Sequence, residues 1–251
     1  MYAMSTTPRT VRQLLESTMR LYQHAFQALL PLTMIAVVAA LILNGFTLTH
    51  VMPENPLDLL KMRGFTLTLI SWIIFYTYAY GALWAKLDFL ARGEEMTSAR
   101  AFAIGLRALP TLCFATLLFL VALEVGLLLF FVPGVFVSVA LCLYGPIIML
   151  EGKGAIAGLR ESHELVRGSW WYIAVAQLAG GLPVLVGVMI MLVITSLVLE
   201  LAGAGDGGKL VFGLVVSALI AAAVTPFFAA LVLECYYEMK IRRSVPPVRA
   251  V

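Results

Sequence analysis

The sequence predicts an all-α integral membrane protein with six transmembrane helices and three amphipathic interfacial helices, each preceding a helical hairpin. Three observations carry that prediction. Of the 251 residues, 62% are hydrophobic and 12% charged, where a soluble domain has roughly 45–50% and 25%; the mean hydropathy is +0.98. Several apolar runs reach the ~20 residues needed to cross a hydrocarbon core ~30 Å thick. Lysine and arginine concentrate in alternate connections between those runs. With 14 acidic and 17 basic residues, the chain has too little polar surface for an aqueous fold of its size, so lipid is part of its solvent.

The elements are taken in chain order. Over 10–25, Val11, Leu14, Leu15, Thr18, Tyr22 and Ala25 recur at helical spacing while Arg12, Glu16 and Arg20 fill the other face, the pattern of a helix lying in the headgroup plane. Thr10 and Gln13 have the spacing of a capping box at its start. The first span, 26–48, is uncharged, and the second, 64–85, is bounded by Arg63 and Lys86. The second interfacial helix, 97–107, begins at a Thr97 cap and places Ala99, Phe102, Ala103 and Leu106 on one face. It leads into a run from Ala108 to Leu150, whose 43 residues fit two spans. These are 108–131 and 133–150, turned at Val132-Pro133-Gly134, because proline and glycine together end helices. The third interfacial helix, 154–167, puts Ile156, Leu159, His163 and Val166 on one face and Arg160, Glu161, Glu164 and Arg167 on the other. The fifth span, 169–199, is one long helix expected to kink or break at Gly180, Gly181 and Pro183. The sixth, 210–233, runs up to Glu234.

Residues 1–251 therefore read as a single polytopic domain. No cleavable signal peptide is expected, since the first apolar run begins at Phe26 and is of spanning length. The N-terminal arm, the second-to-third connection, the fourth-to-fifth connection and the tail together hold 14 lysines and arginines, and the opposite connections hold Lys61, Arg63 and Lys209. The imbalance places both termini in the cytoplasm. The net charge of +3 is dispersed between apolar runs, so no nucleic-acid face is expected. Cys113, Cys142 and Cys235 lie in apolar stretches as small hydrophobes, and their odd number builds no disulfide framework. The histidines, His24, His50 and His163, fall in unrelated segments, and no nucleotide, zinc-protease or hydrolase motif is present. Neither a catalytic set nor a metal or other cofactor is expected.

Several stretches carry a family resemblance. Phe131-Val132-Pro133-Gly134-Val135, Tyr144-Gly145-Pro146-Ile147-Ile148-Met149, Leu159-Arg160-Glu161-Ser162, Leu165-Val166-Arg167-Gly168 and Trp170-Trp171 resemble the YciC-like group of bacterial inner-membrane proteins. They also resemble the membrane domain joined to some glycerophosphodiester phosphodiesterases. Ser98-Ala99-Arg100-Ala101 through Leu109-Pro110 fits the same group. The likeness covers most of residues 8–240 and is sharpest over 131–172. It implies a six-helix bacterial inner-membrane protein and supplies no catalytic residue; no phosphodiesterase activity is carried over.

Among individual residues, Glu124 is a carboxylate inside the third span, a functional candidate by default, with a hydrogen-bonded or hydrated structural glutamate as the alternative. Gln177 and Asn44 are polar groups at membrane depth that interhelical hydrogen bonding also explains. Gly213, Ser217, Ala221, Thr225 and Ala229 recur every four residues as a packing stripe. Arg160, Glu164 and Arg167, beside Trp170 and Trp171, suit a lipid headgroup or a partner protein; an ordinary positive-inside helix with an aromatic anchor has the same composition. The function expected is that of a non-enzymatic inner-membrane protein acting through membrane lipids or a membrane-protein partner. The alternative is a small transporter with a site near Glu124 and the Gly180–Pro183 break.

Overall fold

A computed structural model describes residues 7–49, 64–203 and 205–244. His50, Lys61, Arg63 and Arg249 lie outside the described residues. Among the described residues eight α-helices follow one another in the order α1 (Val11–Thr49), α2 (Phe65–Ala91), α3 (Ser98–Leu129), α4 (Phe131–Leu141), α5 (Tyr144–Glu151), α6 (Ala155–Val166), α7 (Trp170–Leu201) and α8 (Asp206–Ser244). Six segments are long and apolar enough to cross a membrane, with α4 and α5 together making the fourth. The chain is an integral membrane protein.

Helix starts agree closely with the sequence pattern. Thr10 N–H donates to Gln13 Oε1 at 2.9 Å and Gln13 N–H to Thr10 Oγ1 at 3.4 Å, the reciprocal bonds of a capping box. Arg100 N–H donates to Thr97 Oγ1 at 3.4 Å. Beyond these caps the chain departs from expectation. The segments 10–25 and 97–107 are not separate interfacial helices but the first turns of α1 and α3, which run without interruption through Pro31 and Pro110. Each proline removes one backbone bond, and in lipid a continuous helix leaves fewer groups unsatisfied than a break would. The third interfacial segment does form its own helix, α6. Its buried face is Ala155, Gly158, Ser162, Leu165 and Val166; Ile156 and His163 are exposed. The helix is thus rotated from the expected orientation, because Gly158 and Ser162 are small enough to sit against α5 and α4.

The same physics corrects the expected helix break. α7 is helical through Gly180, Gly181 and Pro183. Gly180 serves packing instead: a Cβ there would lie 2.8 Å from Leu231 Cδ2 and 3.2 Å from Leu15 Cδ2, so the glycine lets α7 close on α8 and α1. The break falls in the fourth span, at Cys142–Leu143. Pro146 has no N–H to return to the Cys142 carbonyl, and Ser162 of α6 takes over the loosened backbone. Leu143 N–H donates to Ser162 Oγ at 3.1 Å, and that hydroxyl donates to the Ala140 carbonyl at 3.0 Å. The hairpin before it turns on Phe130 alone, whose backbone is extended. Pro133 and Gly134 sit in the first turn of α4, where a missing N–H costs nothing. Gly126 and Gly134 bring α3 and α4 into backbone contact, with a Cβ on Gly126 only 3.0 Å from Gly134 Cα.

The core gathers where α1 packs on α8 and α2, around Leu14, Leu21, Leu29, Leu83, Leu87 and Leu233. Within lipid the hydrophobic effect does not hold helices together, so close packing and polar contacts do. Thr225 and Ala229 of the small-residue stripe are buried. The second half of α7 shows Leu185, Met189, Ile190, Val193 and Leu197 exposed, as expected where the solvent is hydrocarbon.

A charged end, a lipid-sized groove and an intramembrane cavity

The four basic segments of the sequence converge on one end of the bundle through three polar networks. In the first, Arg9 bridges two carboxylates of α8, Glu234 at 2.8 Å and Glu238 at 3.0 Å, both fully buried. Its backbone N–H also donates to Glu238, and Nη1 donates to Ser17 Oγ at 2.7 Å. Burial works against the Arg9 charge, but Glu234 and Glu238 more than offset it and hold its pKa above the ordinary value. Arg242 pairs with Glu238 at 2.7 Å, donates to the Arg9 carbonyl and lies 3.9 Å over the Tyr172 ring. The second network joins Asp88 to Arg92 at 2.9 Å and accepts the Tyr237 hydroxyl. Nearby, Lys86 donates to the Ala28 carbonyl and to Ser98 Oγ. In the third, Glu151 pairs with Lys153 at 2.9 Å and Lys240 at 2.7 Å and accepts from the Tyr236 hydroxyl. Glu161 pairs with the same two lysines. Each network crosses between elements far apart in the chain, which is how sequence reasoning missed all three. The carboxylates Glu234 and Glu238, four apart at the end of the last span, were the available signal.

The expected lipid or partner residues sit beside this end. Arg160 and Glu164 are spent on each other, a 3.0 Å pair between exposed side chains. Arg167 and Arg243 make no ion pair among the described residues. With Arg242, Glu164, Ser169 and Met239 they line a polar hollow of about 210 Å³. The next residues along the chain, Trp170 and Trp171, line an apolar groove of about 430 Å³ with Phe131, Val132, Val135 and Phe136. Trp170 is fixed there: its indole N–H donates to the Phe136 carbonyl at 3.2 Å, and the two rings stack with centroids 5.7 Å apart. Trp171 stands edge-on to it and is 76% exposed.

The intramembrane candidates separate. Glu124 is exposed on α3 and lines none of these spaces. Gln177 faces a cavity of about 390 Å³ enclosed by α2, α3, α4, α5, α7 and α8, within reach of the Cys142 thiol. Asn44 is satisfied locally, donating to the Ala40 carbonyl at 2.8 Å. Gly180 and Pro183 line a separate apolar groove against α1 and α8. The expected break in α7 is absent, and Glu124 and the Gly180–Pro183 segment do not share any of these spaces. Among the described residues no group of three or more histidines, cysteines or carboxylates is placed to hold a metal ion.

Comparison with known proteins places most of this architecture in one family. A domain of unknown function, DUF7847, matches residues 82–239, from the middle of α2 to the charged end of α8. UPF0259 membrane proteins of Yersinia pestis (strain Pestoides F) and Yersinia pseudotuberculosis (serotype O:3, strain YPIII) are each 26% identical to this chain over 113 residues. The match covers 45% of this chain and 43% of each relative, so it spans less than half the length of those proteins. No solved structure matches.

Proposed function

The chain belongs to the DUF7847 family, and from that premise we propose a non-enzymatic protein of the bacterial inner membrane that binds anionic lipid at its charged end. The family description names no function, and the relatives' names specify a membrane protein and no chemistry, so the site carries the reading. The observation that carries it is the adjacency of the arginine hollow and the tryptophan groove. Arg167 and Arg243 offer two guanidinium groups that make no ion pair among the described residues, and their planar forks match phosphate oxygens. The groove beginning one residue after Ser169 is apolar and sized for an acyl chain. Aromatic residues of this kind settle at the membrane interface. Both termini face the cytoplasm in this reading, since the four basic segments meet at one end and positive charge is retained on that side. A phosphate there faces the anionic leaflet.

Native mass spectrometry of the full chain released from bacterial membranes in mild detergent tests this. The wild type is expected to retain phosphatidylglycerol or cardiolipin in preference to phosphatidylethanolamine. Near an anionic surface each basic residue contributes about 1 kcal/mol, so the double variant Arg167→Glu, Arg243→Glu is expected to lose at least about tenfold in retained anionic lipid. Because both side chains are exposed and make no ion pair among the described residues, its thermal midpoint is expected to stay unchanged. Equal retention in the two proteins, or no anionic preference in the wild type, contradicts the assignment.

A further inference from the structure

The cavity within the bundle shares no lining residue with the groove or the hollow. We propose that it is a binding site for an uncharged, membrane-soluble molecule carrying a flat ring with one or two carbonyl or hydroxyl oxygens. Its volume of about 390 Å³ lies at the small end of the ~300–1,000 Å³ typical of ligand sites, the size of a ring with substituents and not of a whole phospholipid. A hollow of that size departs from the close packing of the rest of the bundle.

The lining chooses the chemistry. Among the described residues no lysine, arginine, aspartate or glutamate faces the cavity, so an ionic ligand loses its hydration there without compensation. The polar groups are neutral, among them the hydroxyls of Thr77, Thr116, Ser138 and Tyr144 and the Gln177 amide. Thr116 and Tyr144 are bonded to each other at 2.9 Å. Thr77 Oγ1, in a residue only 5% exposed, has no hydrogen-bond partner of good geometry among the described residues and lies beside the Cys113 thiol. A buried hydroxyl left in that state is rare, and a bound oxygen completes it. Aromatic faces supply the rest. Tyr76, Tyr80 and Trp84 form a ladder along α2 with centroids 4.6 and 5.4 Å apart, and Phe119 stacks on Tyr144 at 5.5 Å. Surfaces of this kind favour a flat ring in offset or edge contact. Tyr76 is 37% exposed and is flanked by exposed Ile74 and Phe75, so the mouth opens on a lipid-facing stretch of α2 and the ligand enters from the bilayer.

The test uses the purified full chain in detergent, titrated with decylubiquinone, whose ring carries two carbonyl oxygens on a ten-carbon tail. The thermal midpoint is expected to rise with ligand concentration, as binding to the folded state requires. 1-Decanol, which lacks the ring, and decyltrimethylammonium, which is charged, are expected to give less than a third of that shift. Ser138→Leu fills the cavity and is expected to abolish the shift. Should that variant fail to fold, Thr77→Val keeps the shape and removes the orphan hydroxyl. It is expected to weaken the ligand about five- to tenfold, the size of one hydrogen bond, without lowering the unliganded midpoint. No shift in the wild type, equal shifts with all three probes, or a Thr77→Val protein that binds as tightly as wild type overturns the proposal.

Discussion

Arg9 ties the start of the chain to its end. Its guanidinium bridges two fully buried carboxylates on α8 and also holds Ser17, so one side chain anchors the head of α1. Breaking a buried ion pair by removing one partner costs about 3–5 kcal/mol, because the other charge is stranded. Arg9→Ala is therefore expected to lower the thermal midpoint markedly, and adding Glu234→Gln and Glu238→Gln is expected to recover more than half of the loss. Thermal unfolding in detergent checks both, and an Arg9→Ala protein as stable as wild type contradicts the role. At this scale the sequence is only partly legible. Arg160, Glu164, Arg167, Trp170 and Trp171 are neighbours in the chain, so their clustering needs no tertiary knowledge. The partnership of Arg9 with Glu234 and Glu238 joins the two ends of the chain, and nothing local marks it.

Helix caps and apolar runs are readable because they depend on residues a turn apart, and Thr10, Gln13 and Thr97 behave as their spacing requires. Helix interruptions are not. Glycine and proline mark a place where a helix is weakened, while its neighbours decide whether it breaks. Around Pro183 no side chain among the described residues replaces the backbone bond, and α7 stays whole. At Leu143 the Ser162 hydroxyl is in position and the span divides into α4 and α5. Ser162→Ala leaves the Leu143 N–H without its acceptor, a loss of about 1–3 kcal/mol for a buried group. Hydrogen exchange is expected to accelerate over 140–145 in that variant while α7 is unaffected; unchanged exchange at Leu143 contradicts the capping role. The cavity is equally illegible, since its walls come from six helices and no local pattern joins Gln177 to Tyr76, Tyr80 and Trp84.

Over the whole molecule, four segments scattered from Arg9 to Arg243 meet in one charged end, and the apolar remainder shows its leucines and valines to lipid. The grouping is foreshadowed by the 14 to 3 distribution of lysine and arginine. The three networks give that distribution a structural expression, since salt bridges join the N-terminal arm and the α5–α6 connection to α8, and the Tyr237 hydroxyl joins α2 to it. The proposed anionic-lipid binding requires this end to lie against the cytoplasmic leaflet. The most direct test is cysteine labelling in spheroplasts, in a background with Cys113, Cys142 and Cys235 changed to alanine. Single cysteines replace Arg12, Glu94, Arg160 and Ser244, one per basic segment, and Ala202 in the opposite connection; all five positions are exposed. A membrane-impermeant maleimide is expected to label Ala202→Cys in intact spheroplasts and the other four only after permeabilisation. Labelling of any of those four before permeabilisation, or protection of Ala202→Cys, would contradict a single cytoplasmic end and the lipid site built upon it.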